Sequence, residues 1–375
     1  MVRGFRLAAG VTVAGPVLIA APVAAFALND SDPSPAPERQ GVQPGAPSWT
    51  PAGSPPASAR SLAAPAGPAG YTAYVALTGS GAIAKVDTTT RTILSTSIRG
   101  DTAEGVAATP DGKKVYVAVT GQYQVTAVDA VTLKTTKIVV GAYPEDVTAS
   151  PDGSQVYAAV TGGDTGPGGS STVAVISTAT DTVTHQIDVG AAPRRVVFAP
   201  DGKHAYVTTA RGLVVIDTAE AKVSGHIAGI PTAQSVAISK DGTRLYVTQP
   251  DANLLWVADA VHGRLIGKIA AGAEPWAVTV TPDGTKVYVT DMNSDSVGVY
   301  SATTRMHLAD VVVGRLPGSI AATPDGSEVW AGNNMTGTVS VISTATDTLT
   351  TTISGGTPSV TLDAAPLAIT FVKNP

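Results

Sequence analysis

The sequence predicts an all-β fold, a seven-bladed β-propeller built from four-stranded antiparallel blades. Three observations support this prediction: the tripeptide Pro-Asp-Gly recurs, an aromatic residue lies six positions after the start of each copy, and the copies are 40 to 49 residues apart. A period in this range is typical of propeller blades. The complete copies begin at Pro110, Pro151, Pro200, Pro282 and Pro324, and two degenerate copies begin at Pro68 and Lys240.

Each repeat is interpreted as four strands. A short apolar stretch such as 147–150 leads into Pro-Asp-Gly, where glycine supplies the positive φ of a tight turn. A Val-Tyr-Val strand (115–119), a polar loop, a third strand and, after a Thr-rich turn, an outer strand (137–140) follow. The repeated aromatic residues are expected to pack between neighbouring blades. They are Tyr74, Tyr116, Tyr157, Tyr206, Tyr246, Tyr288 and Trp330.

The end of the chain predicts how the ring closes. Residues 365–371 (Ala-Pro-Leu-Ala-Ile-Thr-Phe) match the first strand of a repeat, such as 143–149 (Tyr-Pro-Glu-Asp-Val-Thr-Ala). The copy that begins at Pro68 lacks such a first strand. The last strand of the chain is therefore predicted to complete the first blade, which removes two open sheet edges.

The first 67 residues are predicted to lie outside the propeller. Residues 1–27 have the features of a secretory signal, with Arg3 and Arg6 near the start, an apolar run and a small-x-small cleavage sequence. An uncleaved membrane anchor is the alternative, since the apolar run is about long enough to span a bilayer. The Pro-, Ala- and Ser-rich stretch 28–67 predicts a disordered linker. The propeller is assigned to 68–375, and we expect a secreted or cell-envelope protein without a transmembrane span in its mature form.

Composition narrows the function classes. The chain has 24 basic and 29 acidic side chains and a net charge of −5, so it lacks the positive charge that drives most non-specific nucleic-acid binding. No nucleic-acid partner is therefore expected. Cysteine is absent, which excludes disulfides, c-type haem attachment and thiolate metal sites. No cofactor and no metal are expected.

The repeat motifs resemble a known family. The sequence Tyr-Val-Thr at 246–248 and 288–290, together with the recurring Pro-Asp-Gly, is similar to the YVTN repeat of seven-bladed β-propellers, a family that includes surface-layer-type and periplasmic, YncE-like proteins. The resemblance covers essentially all of 68–375. It implies the architecture and leaves the function open, because the repeated residues are those that build blades. Some periplasmic relatives suggest binding of single-stranded DNA, but the negative charge and only two clustered arginines argue against it.

A second set of positions differs from repeat to repeat. In a propeller with this strand order, the residues just before each innermost strand surround the mouth of the central channel. These residues are acidic, basic, polar, aromatic or small in different repeats, and such convergent polar groups in a concave surface indicate a binding site. The alternative is a solvated rim whose charges pair among themselves. The candidate ligand-binding residues are Glu104, Glu145, Asp146, Arg194, Arg195, Gln234 and Trp276.

Two functions of different classes fit this mouth. The first prediction is a secreted, non-catalytic binding or interaction module whose partner is an extracellular protein, a cell-surface polymer or a small molecule. The alternative is a small-molecule enzyme of the lyase, lactonase or cyclase type, in which Glu104, Glu145 or Asp146 acts as a base. The five histidines fall on strands and turns away from the mouth, which favours the non-catalytic module.

Two loops carry weaker signals. The insertion at 162–170 is expected to be either a lid over the mouth or a tolerated surface insertion. The stretch from Asp291 to Asp295 is similar to the start of a calcium-binding loop. However, Ser296 and Ala302 stand where that loop requires Gly and Glu, so the match is poor.

Overall fold

The structure, a computed structural model of the 375-residue chain, describes residues 66–78, 80–97, 102–162, 171–190, 192–354 and 365–374. The chain divides into two units, Met1–Ser61 and Leu62–Pro375, and every described residue belongs to the second. The predicted signal at 1–27 and nearly all of the predicted linker at 28–67 lie outside the described residues. In the part of the chain that is described, no helix is long and apolar enough to cross a membrane.

The described residues form 28 strands in seven blades. Blade 1 begins with β1 (Tyr71–Leu77), β2 (Ala82–Asp87) and β3 (Thr92–Ser97). Blade 2 contains β4 (Ala103–Ala108), β5 (Lys114–Val119), β6 (Gln124–Asp129) and β7 (Thr135–Val139). Blade 3 contains β8 (Pro144–Ala149), β9 (Gln155–Val160), β10 (Thr172–Ser177) and β11 (Thr182–Asp188). Blade 4 contains β12 (Val196–Phe198), β13 (His204–Thr209), β14 (Gly212–Asp217) and β15 (Lys222–Ile227).

The remaining blades follow the same order. Blade 5 contains β16 (Val236–Ile238), β17 (Arg244–Gln249), β18 (Leu254–Asp259) and β19 (Arg264–Ala270). Blade 6 contains β20 (Pro275–Val280), β21 (Lys286–Asp291), β22 (Ser296–Ser301) and β23 (His307–Val312). Blade 7 contains β24 (Pro317–Ala322), β25 (Glu328–Asn333), β26 (Thr338–Ser343) and β27 (Thr348–Ile353), and the last strand is β28 (Pro366–Lys373). Short 3-10 turns lie at Thr120–Gln122, Pro250–Ala252 and Met292–Ser294.

The last strand closes the ring as predicted. β28 pairs antiparallel with β1, from Tyr71 opposite Lys373 to Leu77 opposite Pro366, so that blade 1 has the order β28-β1-β2-β3. The other six sheets each contain four consecutive antiparallel strands. The inner strand of blade 1 therefore comes from the opposite end of the domain from its three other strands, and the prediction of an all-β, seven-bladed propeller is confirmed.

The Pro-Asp-Gly turns join each inner strand to the second strand. In the copy at Pro110, Asp111 Oδ1 accepts hydrogen bonds from Thr109 Oγ1 at 2.7 Å and from the Lys113 amide at 3.1 Å. Gly112 has a φ of +72°, which an L-residue with a side chain adopts only with strain. The aspartate accepts the amide two residues later in five further copies, at Asp152, Asp201, Asp241, Asp283 and Asp325.

The repeated aromatic residues lie between blades, as predicted. All seven are buried, with at most 5% of their surface exposed. Tyr116 of blade 2 packs among apolar residues of blade 3, such as Val147 and Val156, and its hydroxyl donates to Asp181 Oδ1 at 2.6 Å. Because the ring is apolar and its hydroxyl is hydrogen-bonded, the same residue supplies both packing and orientation between blades.

Candidate functional site

The inner strands begin at one end of the propeller and surround its axis. They contact each other in a closed cycle, from β28 through β4, β8, β12, β16, β20 and β24 back to β28. In each sheet the inner strand begins opposite the end of the second strand, as Ala103 does opposite Val119. We call the end at which the inner strands begin the mouth.

The predicted site residues lie at the mouth end in five consecutive blades. Three of them are the second residues of inner strands, and Asp146 is the third residue of its strand, whereas Arg194, Arg195 and Gln234 come just before shorter inner strands. The expectation that all precede the strand was thus too simple. In blades 4 and 5 the backbone still bonds to the second strand at these positions, as in the Arg194 amide to the Thr208 carbonyl at 2.9 Å. The three candidates that are the second residue of their inner strand are Glu104, Glu145 and Trp276.

Hydroxyl groups hold the beginning of five inner strands to the preceding blade. In five seams, where a seam is the boundary between neighbouring blades, a threonine near the end of the second strand donates to a carbonyl oxygen in the next blade. The donors are Thr78, Thr120, Thr161, Thr208 and Thr248, and the acceptors are Ala103, Pro144, Pro193, Gln234 and Trp276, at 2.8 to 3.2 Å. These bonds fix neighbouring mouth residues relative to one another.

Part of the mouth is neutralised by its own contacts. Arg195 Nη1 donates to Asp146 Oδ1 at 2.8 Å, and the amide of Val196 donates to Asp146 Oδ2 at 3.1 Å. Arg194 Nη1 donates to the Gln234 side-chain oxygen at 2.6 Å. Asp146 is thus a hydrogen-bonded ion-pair partner, which is the arrangement that the solvated-rim alternative predicts.

Glu104 is in a different electrostatic position. Burial and, to a smaller extent, the charge of Glu145 raise the pKa of Glu104 to about 7, although Arg195 and the Thr120 hydroxyl act in the opposite direction. The side chain is half-buried. Among the described residues, Glu104 forms no salt bridge, so no counter-charge holds its carboxyl group in the ionised form.

Glu145 lies in the neighbouring blade and is half-buried as well. Burial raises its pKa, whereas the Thr161 hydroxyl, Arg194 and Arg195 act in the opposite direction. Within the described part of the chain it also lacks a salt bridge. Two adjacent blades therefore present, beside an arginine-bearing blade, two carboxyl groups that form no salt bridge among the described residues and are called uncompensated below.

Trp276 is the candidate least connected to the others. Its carbonyl oxygen accepts the Thr248 hydroxyl at 2.8 Å, and its side chain is half-buried. No hydrogen bond, ion pair or aromatic contact of the described residues joins its indole to the other six candidates. The structure thus brings together Glu104, Glu145, Asp146, Arg194, Arg195 and Gln234 by contact or charge, and it places Trp276 farther along the same rim.

Asp291, at the mouth end of β21, was not among the predicted site residues. Its side chain is 0% exposed, and neither carboxylate oxygen has a hydrogen-bond partner among the described residues. Burial and, to a smaller extent, the charge of Asp310 raise its pKa to about 7, although the backbone of Gly272 and Gly298 and the charge of His307 act in the opposite direction. The sequence did contain a signal for this residue. The last position of the second strand is apolar in the first three blades, as at Leu77 and Val119, and polar in the last four, as at Asp291.

The histidines lie away from the mouth, as predicted. His185, His226 and His307 are in outer strands, and His204 begins β13 directly after a Pro-Asp-Gly turn. His204, His226 and His262 line a groove of about 620 Å³ between blades 4 and 5. Within the described residues, no group of three or more His, Asp or Glu side chains is arranged to hold a metal ion. The predicted lid at 162–170 lies outside the described residues, apart from Gly162.

This groove marks a seam where a side-chain pair is missing. In the seam between blades 2 and 3, Lys114 at the start of the second strand donates to Asp181 in the turn of the next blade, at 2.8 Å. The corresponding residues in blades 4 and 5 are His204 and Gly263, and both line the groove. The groove therefore results from a local gap in a repeated contact, on the end opposite the mouth.

Comparison with known families decides the relationship of the chain. The model of the family described as "Lactonase, 7-bladed beta-propeller" matches residues 172–360, slightly more than half of the chain. The chain belongs to the lactonase seven-bladed β-propeller family. The matched residues include Arg194, Arg195, Gln234 and Trp276, whereas Glu104, Glu145 and Asp146 precede them.

Solved structures agree on the fold. A chain titled hydrazine synthase of Kuenenia stuttgartiensis superposes with a TM-score of 0.64 at 21% identity, covering 71% of this chain and 90% of that chain. A functionally unknown protein of Desulfotomaculum acetoxidans superposes with a TM-score of 0.69 at 13% identity, covering 81% of this chain and 99% of that one. No curated protein sequence matches the chain significantly. At these identities the likeness concerns architecture alone, and the closer resemblance to YVTN, YncE-like proteins stays a prediction.

Proposed function

We propose that the protein is a small-molecule enzyme of the lactonase type that works at the mouth, the second of the two functions expected from the sequence. The observation that supports this most is the contrast between neighbouring carboxylates. Asp146 is paired with Arg195, whereas Glu104 and Glu145 are half-buried, have raised pKa values and lack a salt bridge among the described residues. A carboxyl group with a pKa near the working pH can both accept and donate a proton.

These residues suit the hydrolysis of a lactone. Ionised Glu104 takes a proton from water as the water oxygen bonds to the acyl carbon, and the carbonyl oxygen becomes an oxyanion. The positive charges of Arg194 and Arg195 stabilise that oxyanion. The ring C–O bond then breaks, and protonated Glu104 returns the proton to the leaving oxygen, which yields a hydroxy acid.

The neighbouring residues have supporting roles in this proposal. Burial is the main cause of the raised pKa of Glu104, and the charge of Glu145 adds to it, because two adjacent carboxylates resist simultaneous ionisation. Asp146 holds Arg195 in place at 2.8 Å, and Gln234 does the same for Arg194 at 2.6 Å. Loss of Asp146 or Gln234 should therefore change the position of the arginine that it contacts more than it changes proton transfer by Glu104.

The test is a lactone panel with a matched pair of variants. The purified chain is assayed against γ- and δ-lactones in a pH-stat. We expect hydrolysis with kcat/KM rising with pH through about 7 as Glu104 ionises, and a decrease of roughly 10²- to 10⁴-fold in Glu104→Gln. Glu220→Gln is the control, since Glu220 lies exposed in a turn of blade 4 with Lys222. Absence of hydrolysis of every lactone, or equal rates in Glu104→Gln, would reject the proposal.

A non-catalytic binding module is the second candidate. The pairing of Asp146 with Arg195 and of Arg194 with Gln234 favours it, since both contacts belong to a rim that satisfies its own charges. Its partner would be an extracellular protein, a cell-surface polymer or a small molecule. We further propose secretion, which rests on the sequence of residues 1–27 and is tested by locating the tagged chain in cell fractions and in the medium.

A further inference from the structure

Two tyrosines lie at the mouth end without a role in the proposed chemistry. Tyr123 follows the 3-10 turn Thr120–Gln122 in the loop between β5 and β6, and Tyr143 directly precedes β8. Their rings are 5.5 Å apart at an interplanar angle of 74°, an edge-to-face contact. Tyr123 is 47% exposed and Tyr143 is 43% exposed, so the pair presents aromatic surface to solvent.

The backbone at Tyr123 is strained for an aromatic residue. Its φ is +57°, in the left-handed region. The residue directly before the third strand has the same conformation in four other blades, where it is Gly81, Asn253, Asp295 and Gly337. Gly, Asn and Asp tolerate this region, whereas a bulky side chain does so at a cost in stability. Strain of this kind concentrates at functional positions.

Tyr143 contributes its side chain alone. Its φ is +56°, and the equivalent residues of blades 4 to 7, Ala192, Thr232, Glu274 and Leu316, also have positive φ. The conformation therefore belongs to the repeat. What distinguishes Tyr143 is an aromatic ring where these counterparts have none, and this ring contacts that of Tyr123.

Both tyrosines are hydrogen-bonded through their backbone to threonines whose hydroxyls bond beside the candidate residues, Thr120 to the Pro144 carbonyl next to Glu145 and Thr161 to the Pro193 carbonyl. The Tyr123 amide donates to the Thr120 carbonyl at 3.3 Å, and the Thr161 amide donates to the Tyr143 carbonyl at 3.1 Å. The Thr120 hydroxyl lowers the pKa of Glu104, and the Thr161 hydroxyl lowers that of Glu145. The aromatic pair is thus fixed to the same loops and strand ends as the two uncompensated carboxyl groups.

We propose that Tyr123 and Tyr143 contact the non-reacting end of the substrate and select a lactone that carries a flat apolar substituent, such as a phenyl ring. This rests on the proposed function for the lactone, whereas the aromatic preference rests on the tyrosines. Edge-to-face rings leave faces free, and a flat apolar group gains both buried area and favourable ring geometry there.

The experiment compares two probes by calorimetric titration, γ-phenyl-γ-butyrolactone and unsubstituted γ-butyrolactone. The double variant Tyr123→Asn, Tyr143→Thr introduces the residues found at the same positions in blade 5, Asn253 and Thr232, so the backbone accepts both. We expect the wild-type protein to bind the phenyl compound about 10-fold more tightly, and the double variant to reduce this ratio to about 3-fold or less. The Tm of Tyr123→Asn should equal or exceed that of the wild-type protein.

Tyr71→Asn is the control, because Tyr71 lies at the opposite end of the propeller, at the start of β1. It should keep the wild-type ratio. A ratio that survives in the double variant, or a wild-type protein that binds both probes equally or neither, would overturn the inference. Hydrolysis of the lactones is measured in a separate assay. If the binding ratio depends on the tyrosines but no lactone is hydrolysed, the inference is supported and the proposed function is rejected. If lactones are hydrolysed but the ratio does not depend on the tyrosines, the proposed function is supported and the inference is rejected.

Discussion

The two ends of the propeller differ in how their charged side chains are paired. At the end opposite the mouth, charged side chains at the start of a second strand pair across a seam with a turn of the neighbouring blade. These pairs are Lys114–Asp181 at 2.8 Å, Lys286–Asp347 at 2.7 Å and Arg91–Glu328 at 2.5 Å. At the mouth, Asp146 and Arg195 pair in the same way, but Glu104 and Glu145 stay uncompensated among the described residues.

The difference separates structural charge from reactive charge. A pair across a seam fixes two blades relative to each other and stabilises both charges, so neither group is available for proton transfer. Burial without a counter-charge destabilises the ionised form of a carboxyl group, which raises its pKa toward neutrality. The comparison predicts that substitutions of the paired charges at the opposite end change stability and that substitutions of Glu104 or Glu145 at the mouth change turnover.

The largest expected effect is at the seam between blades 7 and 1. Glu328 and Arg91 are both nearly buried, with 9% and 8% of their side chains exposed, and Glu328 Oε2 also accepts Trp330 Nε1 at 2.9 Å. Glu328→Ala leaves a buried arginine without its counter-charge, and the expected loss is about 3–5 kcal/mol in the free energy of unfolding. Urea unfolding measures it. A loss below about 1 kcal/mol would mean that this pair does not hold the seam.

Asp291 tests the comparison from the opposite direction, because it lies inside a seam and its carboxylate has no hydrogen-bond partner among the described residues. It approaches Tyr300, which belongs to the apolar cluster between blades 5 and 6. Its folded-state pKa of about 7 lies above the ordinary value of 3.8. The folded protein therefore binds the proton more tightly, and stability decreases as pH rises from about 4 to about 7.

Asp291→Asn removes that penalty. We expect the variant to match the wild-type protein near pH 4 and to exceed it at pH 8 by on the order of 3 kcal/mol, from unfolding curves at both values. Blade 7 supplies the reciprocal control: Asn333 occupies the same position, and its amide donates to Thr338 and Ser340 at 2.9 and 3.0 Å. Asn333→Asp should destabilise at pH 8 more than at pH 4. A stability difference that is independent of pH contradicts this explanation.

The smallest expected effect comes from adding the pair that blades 4 and 5 lack. His204→Lys with Gly263→Asp reproduces the Lys114–Asp181 contact across the groove. A side chain at Gly263 meets no atom within 4 Å, and its φ of +63° is close to the +54° of Asp181. A partly exposed pair should add up to about 1 kcal/mol in thermal or urea unfolding, less at high salt. The single variants serve as controls for additivity. If the double variant gains no more stability than the sum of the two single variants, the new side chains do not interact across the groove, and a missing ion pair does not explain it.

The fold was predictable because its causes repeat. The Pro-Asp-Gly turn and the aromatic residue six positions after its start are short local patterns, and they recur along the chain in five complete and two degenerate copies. β28 was recognisable because residues 365–371 match the first strand of other repeats. Such patterns report contacts that every blade makes in the same way.

The candidate site was predictable only in part, because it depends on contacts that differ between blades. The varied mouth residues were identified by that variation, but their partners were not. Nothing in the order Arg194-Arg195 indicates that one guanidinium reaches back to Asp146 and the other forward to Gln234. The burial of Asp291 and the strain at Tyr123 likewise depend on the neighbouring loops and on backbone geometry, neither of which is written in a local motif.

One paired measurement tests the central claim that the mouth carries the chemistry and the opposite end carries the stability. Glu104→Gln and Glu328→Gln remove the same charge at the two ends, and both are assayed for lactone hydrolysis per folded molecule and for unfolding by urea. We predict that Glu104→Gln loses at least about 100-fold in kcat/KM without any loss of stability, because replacing a partly buried carboxyl group of raised pKa removes a penalty. Glu328→Gln should lose stability with kcat/KM unchanged. Hydrolysis that persists in Glu104→Gln, or that decreases equally in both variants, would contradict the account.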